Sequence, residues 1–179
     1  GSFAGKVTAG VCQSNSQATI SAGGIFGKVM TNVTISNIAE WTGTVTFYQQ
    51  EAISSNCINF GGFVGWATTP ITISNIVSNG DTILSHTKAA AINTTGGSFG
   101  GFVGRCENGA TISDCINNGQ TAWTSSNTGS SNGNDINLGG IVGRIVEGNS
   151  SIINCHNKGK IANMHYNNLP WSTTYNTNC

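Results

Sequence analysis

Charge is the scarcest commodity in this 179-residue chain. Seven Lys and Arg residues face seven Asp and Glu, so 8% of the sequence is charged and the formal net charge is zero, where ordinary globular domains carry about 25% charged residues. That balance excludes a basic nucleic-acid-binding surface. It also removes the repulsion that keeps soluble proteins apart, so self-association is expected. Leucine is nearly missing, three residues against nineteen Ile and ten Val, which argues against a helical bundle and for strands. No run of eighteen apolar residues occurs, so no membrane-spanning helix and no membrane insertion are expected. The chain lacks a starting Met, a charged n-region and an apolar h-region, and reads as a mature chain or a fragment. Cys-x-x-Cys, a P-loop and paired carboxylates are all missing, so the usual zinc and phosphate chemistries find no motif.

What is abundant is Gly, 25 residues, and Asn, more than twenty. Their distribution is periodic. A Gly-Gly-apolar-apolar-Gly signature recurs at 23–27, 61–65, 100–104 and 139–143, with spacings of 38, 39 and 39 residues. Such regularity marks stacked repeats rather than one closed domain. Each signature is followed by a short strand centred on Ile35, Ile73, Ile112 or Ile152, then a polar corner at Asn37, Asn75, Asp114 or Asn154, then Ile38, Ile76, Cys115 or Cys155. A second glycine follows at Gly43, Gly80, Gly119 and Gly159, and a β-former two residues beyond it at Val45, Thr82, Thr121 and Ile161.

One such unit has too few apolar residues to bury its own face, whereas stacked copies place like over like. The expected core ladders are Ile35, Ile73, Ile112, Ile152, then Ile25, Phe63, Phe102, Ile141, and then Phe26, Val64, Val103, Val142, rising about 4.8 Å per copy in one continuous core. Asn at a repeated corner is expected to bond its copies above and below, as amide ladders do. The segment 124–136, rich in Ser, Asn and Gly, reads as a protruding loop. The sequence therefore predicts an all-β fold, a β-solenoid of about four and a half 38–39-residue repeats. Its organisation is one repeat domain over 1–179, with a partial repeat at 1–22 and units at 23–60, 61–99, 100–138 and 139–179. Column matching at 39 residues favours one turn per repeat over two.

The ends read as cut mid-repeat. Gly5, Lys6 and Val7 match Gly159, Lys160 and Ile161, while a competing alignment sets 1–6 against 100–105 so that the N-terminus supplies a Gly-rich opening. Neither end shows a polar cap, and an uncapped terminal edge pairs with other chains. Head-to-tail continuation from one subunit to the next is therefore expected, a heterologous contact that yields an open filament when its rotation does not close. The competing reading is a fragment of a longer repeat protein.

These residues resemble the GLUG-motif repeats. The similarity is closest at 139–143 with 152–159, Gly-Gly-Ile-Val-Gly followed by Ile-Ile-Asn-Cys-His-Asn-Lys-Gly, and at 100–104 with 112–119. Ile38 and Ile76 stand where the motif has Cys, and Glu40 and Ser78 where it has Asn. The resemblance implies extracellular or cell-surface β-solenoid repeats, found in adhesins or beside catalytic modules, and it carries no catalytic residues.

Six cysteines, Cys12, Cys57, Cys106, Cys115, Cys155 and Cys179, permit up to three disulfides in a secreted chain. Cys115 and Cys155 share a column and either bridge neighbouring copies or act as small core residues, and Cys12 and Cys179 are candidates for a bond between subunits. Cys155 beside His156, near Asp114, superficially resembles a nucleophile and base, but strand neighbours point to opposite faces. His86 and His165 read as loop residues without carboxylate partners. Sequons stand at Asn32, Asn93 and Asn149 in positions read as turn or loop, candidate N-glycan sites of a glycoprotein. Trp41, Trp66, Trp123 and Trp171, with Tyr48, Tyr166 and Tyr175, read as turn and loop residues outside any one column.

The expected function is that of a non-enzymatic structural protein of an extracellular fibril or surface appendage. It needs no cofactor or metal, and its partner is a further copy of itself stacked end to end. The alternative is an adhesin or carbohydrate-binding stalk whose loops take glycans. A third reading is ice binding, since the columns Thr34, Thr72, Thr111, Ser151 and Ser36, Ser74, Ser113 would form a flat outer hydroxyl face like those by which solenoid antifreeze proteins order water.

Overall fold

The structure is a computed structural model that describes residues 2–3, 6–10, 19–49, 53–55, 57–86, 92–94, 97–125 and 136–165. Among these residues every regular element is a β-strand and none is a helix. The strands form five stacked sheets, and all pairings are parallel. The first sheet holds Thr19–Gly23, Cys57–Gly61, Gly97–Gly100 and Ile136–Gly139, and the second Phe26–Val29, Val64–Ala67, Val103–Cys106 and Val142–Ile145. The third holds Ser2–Phe3, Val33–Trp41, Ile71–Ser78, Ala110–Asn117 and Ser151–Ile153, with His156–Asn157 beside the end of Ala110–Asn117. The fourth holds Lys6–Gly10, Thr44–Gln49, Thr82–His86, Thr121–Ser125 and Ile161–His165, and a fifth pairs Ile53–Ser55 with Ile92–Thr94. Paired residues lie from 37 apart, as Val45 with Thr82, to 40 apart, as Thr121 with Ile161. Each pass of the chain therefore meets the sheets in the same order, one strand above the last.

The polar corner explains the spacing of apolar residues in the third sheet. Asn37, Asn75, Asp114 and Asn154 all have positive φ, between 52° and 59°, a left-handed conformation that Asn and Asp tolerate better than other side-chain-bearing residues. In an unbroken strand Ile73 and Ile76, three apart, would face opposite sides. The left-handed residue between them resets the alternation, and both are buried, as are Ile112 and Cys115. The exposed corner amides then bond between passes, Asn75 Nδ2 donating to Asn37 Oδ1 at 3.4 Å and Asn154 Nδ2 to Asp114 Oδ1 at 3.2 Å.

The Gly-Gly-apolar-apolar-Gly signature works by close approach. A Cβ on Gly104 would lie 2.6 Å from the Gly65 carbonyl oxygen and 2.6 Å from the Phe60 nitrogen, and one on Gly143 equally near Gly104 and Phe99. The first and second sheets thus meet backbone to backbone, far closer than the roughly 10 Å at which sheets with side chains between them pack.

That contact divides the interior in two, where the sequence led us to expect a single continuous core. One cluster lies between the second and third sheets and includes Val64, Val103, Ile73, Ile112, Phe63 and Phe102, the two rings stacked 5.0 Å apart. The other lies between the first and fourth sheets and includes Val45, Ile58, Phe60, Phe99 and Leu138. Ile35, Ile73, Ile112 and Ile152 are in register, but the ladder is sealed only in its middle. Ile73 and Ile112 are fully buried, whereas Ile152 is 46% exposed and Ile25, at the other end of its own ladder, 37%.

Two register assignments made from the sequence are corrected. Ser2 and Phe3 pair with Glu40 and Trp41, and Lys6 and Val7 with Thr44 and Val45. The alignment of 1–6 with 100–105 therefore fails, and the N-terminus supplies no Gly-rich opening. A register shift in the strand Val33–Trp41 also places Trp41, not Glu40, opposite Ser78. Trp41 thereby stands in the column continued by Ser78, Asn117 and Asn157. Its indole N–H donates to the Gly43 carbonyl at 2.8 Å, as the amides of Asn117 and Asn157 donate to Gly119 and Gly159 at 3.1 and 2.9 Å. Spacing alone could not reveal this equivalence, because the extra residue lies inside the strand.

The buried and open ends of one ladder predict unequal costs. Ile112→Ala is expected to lower the unfolding free energy by about 3 kcal/mol and Ile152→Ala by about 1 kcal/mol or less, measured by denaturant titration. Gly104→Ala, which forces two sheets apart, is expected to cost about 3 kcal/mol. Equal costs for the two isoleucines would contradict the burial gradient, and a tolerated alanine at 104 the backbone contact.

Candidate functional surfaces

The outward-facing columns change character at the two ends. Met30, Thr68, Glu107 and Val146 follow one another up the edge of the second sheet, joined by backbone bonds from Thr68 to Val29, Glu107 to Ala67 and Val146 to Cys106 at 3.0, 2.8 and 2.9 Å. The middle two are polar and the outer two apolar, with Met30 68% and Val146 39% exposed. A second column runs Ser36, Ser74, Ser113 and then Ile153, the last 53% exposed. With Ile25 and Phe26 beside Met30, and Ile145 and Ile152 beside Val146 and Ile153, each end carries an exposed apolar rim. The open ladders account for Ile25 and Ile152, but nothing in the folding of this chain requires apolar residues at the outward positions 30, 146 and 153. Charge-poor composition hinted at association, but only the register reveals the polar-to-apolar switch.

Between the ends, the outer face of the third sheet carries two columns of hydroxyls. Thr34, Thr72, Thr111 and Ser151 are in register, as are Ser36, Ser74 and Ser113, all exposed or half-exposed while the isoleucines between them point inward. The edge of this sheet carries an amide relay, Asn118 Nδ2 to Asn79 Oδ1 at 2.7 Å and Asn79 Nδ2 to Glu40 Oε1 at 2.8 Å.

The second sheet gathers three of the chain's seven Lys and Arg residues in one column. Lys28, Trp66, Arg105 and Arg144 are in register. The Lys28 ammonium lies 4.1 Å from the centre of the Trp66 ring, the Arg105 guanidinium lies 5.8 Å from it, and Arg105 pairs with Glu107 at 2.7 Å. Such contacts hold the cations in place and occupy the indole face that would otherwise stack on a sugar.

The aromatic and histidine positions read as loops are corrected. Trp41 ends a strand and is buried against Phe63, ring centres 4.7 Å apart, while Trp66, Trp123 and Tyr48 lie within strands. His86 and His165 each end a strand of the fourth sheet. Trp171, Tyr166, Tyr175 and positions 126–135 of the expected loop lie outside the described residues. Of the sequons, Asn32 and Asn149 are exposed between strands, but Asn93 lies inside the strand Ile92–Thr94 rather than in a loop.

Cys106, Cys115 and Cys155 are free thiols. Cys115 lies in the strand Ala110–Asn117 and Cys155 in the next pass, between Ser151–Ile153 and His156–Asn157, and each sulfur reaches a backbone carbonyl, Cys115 Sγ that of Ser113 at 3.1 Å and Cys155 Sγ that of Ile153 at 3.3 Å. Cys12 and Cys179 lie outside the described residues, and Cys57 opens the strand Cys57–Gly61. His156 is exposed while Cys155 Sγ also reaches back to the Ile112 carbonyl at 3.5 Å, so the two diverge. Among the described residues no group of three or more His, Cys, Asp or Glu is placed to hold a metal ion.

No protein-family model, curated protein or solved structure matches this chain.

Burial pushes the thiols of Cys106 and Cys115 up to about 11. The unfolded chain, with its thiols near 9.0, ionises first, so stability is complete below about pH 9 and falls as pH rises toward 11. Native alkylation at mildly alkaline pH, followed by mass spectrometry, is expected to label Cys155 well before Cys106 or Cys115. Equal labelling of all three would contradict the burial.

Proposed function

We propose that the chain is an extracellular structural protein, a β-solenoid of about four and a half 38–39-residue repeats with one turn per repeat, which assembles by end-to-end stacking of its subunits. The observation that carries this reading is the replacement of polar outward residues by Met30, Val146 and Ile153 in the terminal passes. Buried columns cut open at an end expose apolar residues in any stack, but outward positions gain nothing from being apolar unless something covers them. Strand pairing supports the same reading. Among the described residues the fourth sheet begins on Lys6–Gly10 and ends on Ile161–His165, each paired on one edge only, and a parallel edge is a template for further pairing. A second copy placed there continues the column Val7, Val45, Thr82, Thr121, Ile161. Zero net charge adds no repulsion between copies, and the GLUG-like columns and exposed sequons fit a surface or secreted setting.

Sedimentation and negative-stain imaging across a concentration series test this. The wild-type chain is expected to polymerise with increasing concentration. Val146→Glu and Ile153→Ser, which restore the residues found elsewhere in those columns, are expected to raise the concentration needed for assembly at least about tenfold, a change of about 1.4 kcal/mol per contact, while leaving thermal stability almost unchanged. A wild-type chain that stays monomeric at every concentration, or variants that assemble as well as it does, would overturn the proposal.

A further inference from the structure

The column that contains Trp41 is uneven in size. In the first pass an indole fills it, in the third Asn117, in the fourth Asn157, and in the second only Ser78. Asn117 Nδ2 donates to the Gly119 carbonyl at 3.1 Å, the Gly140 carbonyl at 2.8 Å and Asn157 Oδ1 at 2.9 Å, and its Oδ1 accepts from the Gly119 N–H at 3.2 Å. A serine hydroxyl is too short to repeat this with Gly80 and Gly101. Ser78 is completely buried, and its Oγ has no hydrogen-bond partner in the protein.

Ser78 is not alone. Thr82 and Thr121 are 1% and 0% exposed, and their Oγ1 atoms also lack a partner. The two threonines are in register on adjacent strands of the fourth sheet, which sets them about 4.8 Å apart. That is too far for a direct hydrogen bond and is the span of one bridging water bonded at about 2.8 Å to each hydroxyl. Thr82 Oγ1 also faces Gly62, 3.5 Å from where a Cβ would stand, just as the Asn117 amide faces Gly101 in the next pass. Ser78 and Thr82 therefore face the same seam, at the level where the side chain of that column is shortened from a carboxamide to a hydroxyl.

We infer that this seam is an internal water-binding site, in which water bonds the hydroxyls of Ser78, Thr82 and Thr121 and takes the place of the missing carboxamide. A buried water requires a polar site with two to four partners and room for one molecule. Three hydroxyls supply the partners, and the difference between Ser and Asn supplies the room. The site is independent of whether copies of the chain stack. It sets solvent between the second and third passes, where Thr82 and Thr121 stand in register.

High-resolution crystallography of the full chain, paired with its Ser78→Asn variant, tests this. The wild type is expected to show ordered density within hydrogen-bond distance of Ser78 Oγ and of Thr82 or Thr121 Oγ1. In the variant the density beside position 78 is replaced by an amide bonded to the Gly80 and Gly101 carbonyls, and the thermal midpoint rises by a few degrees. Water-to-protein magnetisation transfer at the Thr82 and Thr121 methyls provides a second readout, strong in the wild type and diminished in the variant. Wild-type hydroxyls found bonded directly to protein groups, or no density and no magnetisation transfer at the seam, would overturn the inference.

Discussion

The contact on which everything else depends is the one between the first and second sheets, where two backbones meet with no side chains between them. It requires glycine at 65, 104 and 143 because a Cβ would strike the neighbouring main chain. It also fixes the vertical stagger, since the second-sheet Gly104 packs on Phe60 of the pass before its own. Each pass is thereby locked to its predecessor by main-chain contact as well as by the parallel ladder, and the two hydrophobic clusters on either side need only fill space. The arrangement suits a sequence poor in Leu and charge, because glycine contact and β-branched columns carry the cohesion that long side chains supply elsewhere.

A consequence is that the middle and the ends of the molecule obey different rules. In the second and third passes each ladder residue is covered on both sides, and Phe63, Phe102, Ile73 and Ile112 are all sealed. At the ends half of each contact is missing among the described residues, and the chain does not make every outward position there polar. It adds apolar residues at outward positions instead. A polar outer face is what an end exposed to water would require, and the apolar rims are what the proposed stacking of copies would cover.

Much of this was legible in the sequence because the period is long and the columns are chemically distinctive. The recurrence of the glycine signature and of Ile before Asn gave the registers of Ile73 with Ile112 and of Val64 with Val103 directly. The Asn corner was visible as a column, although its left-handed backbone, which brings Ile73 and Ile76 to the same side, was not. What escaped the sequence depends on where chain segments meet in space. A one-residue irregularity before Trp41 moves a residue read as a loop aromatic into a buried column. The glycines of the repeated signature also separate two cores, which no one-dimensional pattern announces. The apolar rims emerge only once Met30 is placed under Thr68 and Ile153 over Ser113.

In the proposed assembly copies of this chain continue one another's parallel stack, and the axial repeat of assembled material tests that most directly. Fibre diffraction or cryo-electron microscopy of filaments grown from the purified chain is predicted to show a meridional spacing of about 4.8 Å along the filament axis. The predicted rise per subunit is roughly 20 Å, the height of four to five strands. Filaments with strands running along the axis, or a chain that forms only discrete particles under every condition, would contradict it.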